Sequence, residues 1–205
     1  LPDGGSAEIS LNGEYTVPAE VIGVIRDRKL TVEFISDSVK SWVVRGEDIS
    51  AAADADFSVL PGSADKSALR GVPGVDLKVS GTTVPAELKL NFRREFAGEF
   101  ANIYRLNGNT PEFIGCVKVG SDGSVNVPGA YKAGEYIVMV CGFSDLNGDA
   151  DNDGSLTALD ASAILKDIVG AAKSANPLMC DFNGDGAVNA LDASAVLKAV
   201  VGITA

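Results

Sequence analysis

Apolar and polar residues alternate in short runs through the first two thirds of the chain, and the pattern then changes character near residue 145. Runs of the first kind occupy residues 7–11, 14–18, 30–36, 40–45, 56–60, 75–80, 86–92, 101–106, 112–119, 124–127 and 135–141, each bounded by Gly, Pro, Asn or Asp. Period-two alternation between turn residues predicts β-strands, and many short strands in succession predict a sandwich. Two hairpins are expected, one turning across residues 107–110 and one across 120–123, because each turn separates alternating runs. The reading for residues 1–143 is therefore an all-β sandwich of Ig-like type.

Beyond residue 145 the period lengthens to that of helices, and the chain repeats itself. Residues 149–166 align on 181–198 at a constant offset of 32, and ALDASAILK at 158–166 differs from ALDASAVLK at 190–198 at one position of nine. Each copy ends in an Ala- and Leu-rich segment, 158–169 or 190–201, followed by Gly170 or Gly202 where a helix C-cap is expected. Within each predicted helix, Ile164, Leu165 and Ile168, or Val196, Leu197 and Val200, supply an apolar stripe expected to pack between the helices. The other face carries Leu159, Ser162, Ala163 and Lys166, or Leu191, Ser194, Ala195 and Lys198.

Ahead of each helix lies a twelve-residue loop of hard oxygen donors. The first offers Asp149, Asp151, Asp153 and Asp160 at positions 1, 3, 5 and 12, and the second Asp181, Asn183, Asp185 and Asp192. Gly154 and Gly186 stand at position 6, where a loop wrapping an ion must turn sharply. Backbone carbonyls of Ser155 and Ala187 at position 7 complete the pattern, with Thr157 and Asn189 at position 9 acting directly or through water. Calcium demands six to eight such oxygens, so the spacing points to two calcium ions. Leu156 and Val188 at position 8 are expected to meet in a short backbone pairing between the loops. No helix is predicted before either loop, which makes each unit a half EF-hand and argues against a calmodulin-type sensor.

Charge sharpens this picture. The whole chain carries −11, which argues against a nucleic-acid binder, and its lack of histidine excludes histidine-based catalytic triads and histidine metal sites. From Asp145 onward nine Asp, no Glu and three Lys give −6, and two calcium ions would relieve most of that repulsion. Cys116, Cys141 and Cys180 lack metal-ligand spacing and read as buried thiols, with a Cys116–Cys141 disulfide as the alternative. No apolar run is long enough to span a bilayer, so no membrane insertion is expected. The opening at Leu1 without a leader-like segment reads as a piece excised from a longer protein.

Two loops and two helices in this order resemble a dockerin, over about residues 145–205. The resemblance implies an all-α module with two calcium-loop-helix repeats, binding the cohesin of a cellulosomal scaffold or cell-surface protein outside the cell. It implies a contact face of loop positions 10 and 11 with helix positions 17 and 18. These are Ala158, Leu159, Leu165 and Lys166 in one copy and Ala190, Leu191, Leu197 and Lys198 in the other. Ala-Leu at positions 10 and 11 is nearer to ruminococcal dockerins than to clostridial ones. Residues 84–141 are similar to the X-modules found beside dockerins, which implies a stabilising or spacing role. With no Pro- or Ser-rich linker near residue 143, domains of 1–143 and 144–205 are expected to join directly. The alternative is that the β-domain binds carbohydrate, with Trp42, Tyr15, Tyr104 and Tyr131 as a stacking platform. Glu87, Glu95 and Glu99 are a weak candidate for a glycosidase pair, and the reading is of a non-enzyme.

Overall fold

The computed structural model describes residues 1–127, 129 and 132–203. Strands β1 (Ser6–Ser10) and β2 (Thr16–Val17) lead into a helix, α1 (Ala19–Asp27), before β3 (Thr31–Ile35), β4 (Lys40–Arg45), β5 (Ala55–Asp56) and β6 (Val59–Pro61). There follow β7 (Val72–Val79), β8 (Glu87–Asn91), β9 (Phe100–Asn107), β10 (Thr110–Lys118), β11 (Ser124–Val127) and β12 (Gly134–Cys141). Two five-stranded sheets result, ordered β1-β3-β4-β8-β11 and β10-β9-β12-β7-β6, with β2 and β5 as a separate pair. Their inner faces share one core: Phe34, Trp42, Leu88 and Leu90 from the first sheet, Leu77, Ile103, Val138 and Val140 from the second.

Helix α1 corrects the all-β expectation. Strands β1 and β3 pair in parallel, which a tight turn cannot achieve, and the intervening chain supplies the crossover through α1. Ile22 and Ile25, three residues apart, join the same core as Trp42. Glu20 in the first turn and Arg26 in the last suit the helix dipole. A run of β-branched residues around Gly23 masked these signals. The mixed sheet and helical crossover depart from the Ig-like architecture read from the alternation.

The first expected hairpin forms: β9 and β10 are antiparallel, Asn107 opposite Thr110, with Gly108 at the positive φ (61°) that primed turns require. The second does not. A tight turn exists at 120–123, with Gly123 N–H on the Gly120 carbonyl at 2.9 Å, but β11 pairs with β8 in the sheet opposite to that of β10. The turn is thus a corner between sheets. Gly123 (φ 89°) is pressed against the Phe92 carbonyl, leaving no room for a side chain.

Beyond Cys141 the chain becomes helical, with α2 (Ala158–Ile168) and α3 (Ala190–Val200) packed together. Each helix opens on a capping box. The Thr157 and Asn189 side chains accept from Leu159 and Leu191 N–H, and the carboxylates of Asp160 and Asp192 return to the cap N–H. Each ends as a Schellman motif: Gly170 and Gly202 (φ 71° and 74°) donate to Asp167 and Ala199, and Ala171 and Ile203 donate to Lys166 and Lys198.

Candidate metal loops and partner face

Asp149 lies fully buried at the start of the first loop, and its two carboxylate oxygens accept from Asp153 N–H at 3.0 Å and Gly154 N–H at 2.9 Å. Asp181 does the same at offset 32, accepting from Asp185 N–H at 3.1 Å and Gly186 N–H at 2.9 Å. The correspondence continues around each loop. Asp151 and Asp153 accept from Asp153 and Ser155 N–H, as Asn183 and Asp185 accept from Asp185 and Ala187 N–H. Asp160 takes N–H bonds from Asp151 and Thr157, and Asp192 from Asn183 and Asn189. Gly154 and Gly186 turn at φ 89° and 87°. Every oxygen side chain at positions 1, 3, 5 and 12 therefore points back into its own loop.

Asp149, Asp151 and Asp153 bring one carboxylate oxygen each within 4.8 Å of one another. Burial first, with Asp160 and Asp153 adding repulsion, pushes the Asp151 carboxyl above its ordinary range. Burial does the same to Asp149, partly opposed by the Ser144 hydroxyl and the loop N–H groups. A carboxyl raised in the fold above its open-chain value charges at a cost, so the metal-free loop is penalised once pH exceeds the carboxylate range. A divalent cation reverses that sign. All the donors are carboxylate, amide or carbonyl oxygen, so the set fits a hard ion such as calcium.

Between the helices, Ala161, Ile164, Ala193 and Val196 are buried with Ala150 and Cys180. Leu165, Ile168, Leu197 and Val200, expected in that core, are exposed instead. With only two helices, one residue per turn is covered on each, and a wider apolar stripe has no second surface to meet. Leu156 packs half-buried against this core, but Val188 is exposed and no strand pairs the two position-8 residues among the described residues.

The expected partner residues fall on open surface. Leu159 and Leu191 are each 65% exposed, and Leu165 and Leu197 are 43% and 44% exposed, so the two faces are equally accessible. Ala158, Lys166, Ala190, Ser194 and Lys198 are exposed too, while Ser162, Ala163 and Ala195 are half-buried. Leu159, Ser162, Ala163 and Lys166 line a hollow of about 290 Å³, and Leu191, Ser194, Ala195 and Lys198 one of about 490 Å³. Their rims differ: Lys173 and Asp151 border the first, Phe182 and Ile203 the second.

Residues 147–201 match the family model of the dockerin type I domain. This segment is a dockerin type I module. Dockerins are non-catalytic, calcium-binding attachment modules that bind cohesins. The match leaves the β-rich region outside it, and no curated protein or solved structure shows significant similarity to the chain. No helix among the described residues is long and apolar enough to cross a membrane.

Absence of a linker predicts a direct join, but no sequence pattern points to the residues that make the seam between the dockerin and the β-rich region. Asp145 accepts from the Tyr104 hydroxyl and from Arg70 Nε at 2.6 Å, and its N–H donates to Asn102 Oδ1 at 2.9 Å. Ser144, fully buried, receives Arg70 and Asn176 on its carbonyl, each at 2.8 Å, and its hydroxyl lies 3.2 Å from Cys116 Sγ. These partners are 28 to 75 residues distant, with no local spacing to reveal them. All three cysteines are free thiols.

Of the four aromatics expected for a carbohydrate platform, Tyr15 is exposed and two are not available at the surface. Trp42 is wholly buried with its indole N–H on the Phe57 carbonyl at 3.0 Å, and Tyr104 is buried in the seam. Tyr131 lies outside the described residues. Glu87 is paired with Arg45 and Glu95 with Arg93, at 3.0 and 3.3 Å.

Proposed function

We propose that the chain is a non-catalytic anchoring unit: an X-module-like β-domain, 1–143, joined directly to a dockerin, 144–205, that fastens a secreted parent protein to a cohesin on a cellulosomal scaffold or cell surface. Two calcium ions hold the dockerin, one in each loop. Asp149, Asp151, Asp153, the Ser155 carbonyl and Asp160 hold the first; Asp181, Asn183, Asp185, the Ala187 carbonyl and Asp192 hold the second.

The observation that carries this reading is the paired helix face. Ala158, Leu159, Ser162, Ala163, Leu165 and Lys166 are repeated as Ala190, Leu191, Ser194, Ala195, Leu197 and Lys198, with matched exposure at both leucine pairs. An apolar surface flanked by a lysine suits a partner with an apolar centre and an acidic rim. Because the faces are related by the internal repeat, a cohesin can dock on either one after rotation by about half a turn, as a two-fold arrangement dictates.

Calorimetric titration of a cohesin into variants tests this. Leu159→Ala with Lys166→Ala, or Leu191→Ala with Lys198→Ala, should each leave binding nearly intact, whereas all four together should abolish it. A large loss from one pair alone contradicts the two-face reading, and retention by the fourfold variant contradicts the face itself.

A further inference from the structure

The two loops share a hydrogen-bond scheme but not a setting. Position 4 is Asn152 in the first and Gly184 in the second, both left-handed at φ 61° and 73°. The Asn152 side chain points away from its loop: Oδ1 accepts from Ser144 N–H and Nδ2 donates to the Gly142 carbonyl, both at 2.9 Å. Gly142 directly follows β12, the middle strand of its sheet, so this amide ties the loop to the β-rich region.

A second contact backs the same loop. Any Cβ at Gly154 would stand 2.8 Å from the Phe100 ring, and Cys116 Sγ lies 3.9 Å from the Gly154 carbonyl. Phe100 belongs to β9, which pairs with β12, and Cys116 to β10 on the other side of β9. Among the described residues the second loop has its outside hydrogen bond at Phe182, whose carbonyl accepts from Asn147 Nδ2 at 3.1 Å, while residues 183–188 are all exposed and Gly184 and Gly186 have no neighbour within 4 Å of a Cβ position.

We infer that the β-rich region templates the first loop, with Asn152 as the positioning residue, so that the two loops take up calcium unequally, the first tightly and the second weakly. The inference rests on the calcium reading above. Ordering a loop around an ion costs conformational entropy, and a loop already held in shape binds with less of that cost. In the first loop the β-rich region has done this ordering on folding. In the second, support stops at Phe182 and the ion must order the exposed stretch 183–188.

Calcium titration of the full chain by calorimetry, with Asn152→Gly beside the parent, is decisive because glycine keeps the φ of 61° without strain. The parent should show two classes of site, the weaker one removed by Asp181→Ala. Asn152→Gly should weaken the tighter class by about tenfold, the factor for one to two ordinary hydrogen bonds, and leave the weaker unchanged. Gly184→Asn, which places the same side chain where nothing can receive it, should alter neither class. Equal affinities in the parent, or an Asn152→Gly variant indistinguishable from it, would overturn the templating while leaving calcium binding intact. Absence of any calcium uptake overturns the calcium reading itself, a result that equal affinities do not produce.

Discussion

Ile164 and Leu165 are neighbours in α2 with opposite duties, one buried between the helices and the other 43% exposed. Ile164→Ala should therefore cost about 2–5 kcal/mol of dockerin stability in denaturant titration, the usual range for emptying a core site. Leu165→Ala should cost under about 1 kcal/mol by the same measurement, as exposed substitutions do, and weaken cohesin binding only when Leu191→Ala with Lys198→Ala disables the second face as well. Equal destabilisation by both would return Leu165 to the core. At this scale the loops were the most legible part of the chain, because an ion needs oxygens at fixed short spacings and Asp149, Asp151, Asp153 and Asp160 supply them locally. Division of labour between Ile164 and Leu165 was not legible, since helical spacing says which residues share a face but not how wide a neighbour covers it.

Helices α2 and α3, each of 11 residues, are too short to persist alone, and the core between them is built largely of alanine and small apolar side chains. The metal must supply much of their stability. Chelation should therefore abolish the helical far-ultraviolet dichroism of these two elements. Trp42, the single tryptophan, is buried in the β core and its emission should stay unchanged. An emission shift in parallel with helix loss would show that the β-rich region also unfolds. Among the elements, strands and the two terminal helices followed from periodicity. The β11 partner did not, because alternation fixes which face a residue takes and leaves open whether a turn closes a hairpin or crosses between sheets. Gly123 records the crossing: Gly123→Ala must both adopt φ 89° and displace the Phe92 carbonyl, so a fall in β-domain melting temperature by several degrees is expected.

Across the whole molecule, the dockerin does not hang from a tether. Asp145 joins Tyr104, Arg70 and Asn102, and Ser144 sits buried among Cys116, Arg70 and Asn176. Tyr104→Phe removes a hydrogen bond to a charged acceptor, and should lower stability by about 1.5–3 kcal/mol in the calcium-bound form. Calorimetric scans of that variant should show the two regions melting further apart than in the parent. Both helix faces stay open despite this seam, so attachment through either is compatible with the β-rich region in place. The function proposed for the molecule is calcium-dependent attachment to a cohesin. Titrating the intact chain against a panel of cohesin modules, in calcium and again in excess chelator, tests it most directly: at least one cohesin should bind in calcium and lose all measurable affinity in chelator. Binding that survives the chelator, or a panel that yields no partner in calcium, would contradict it.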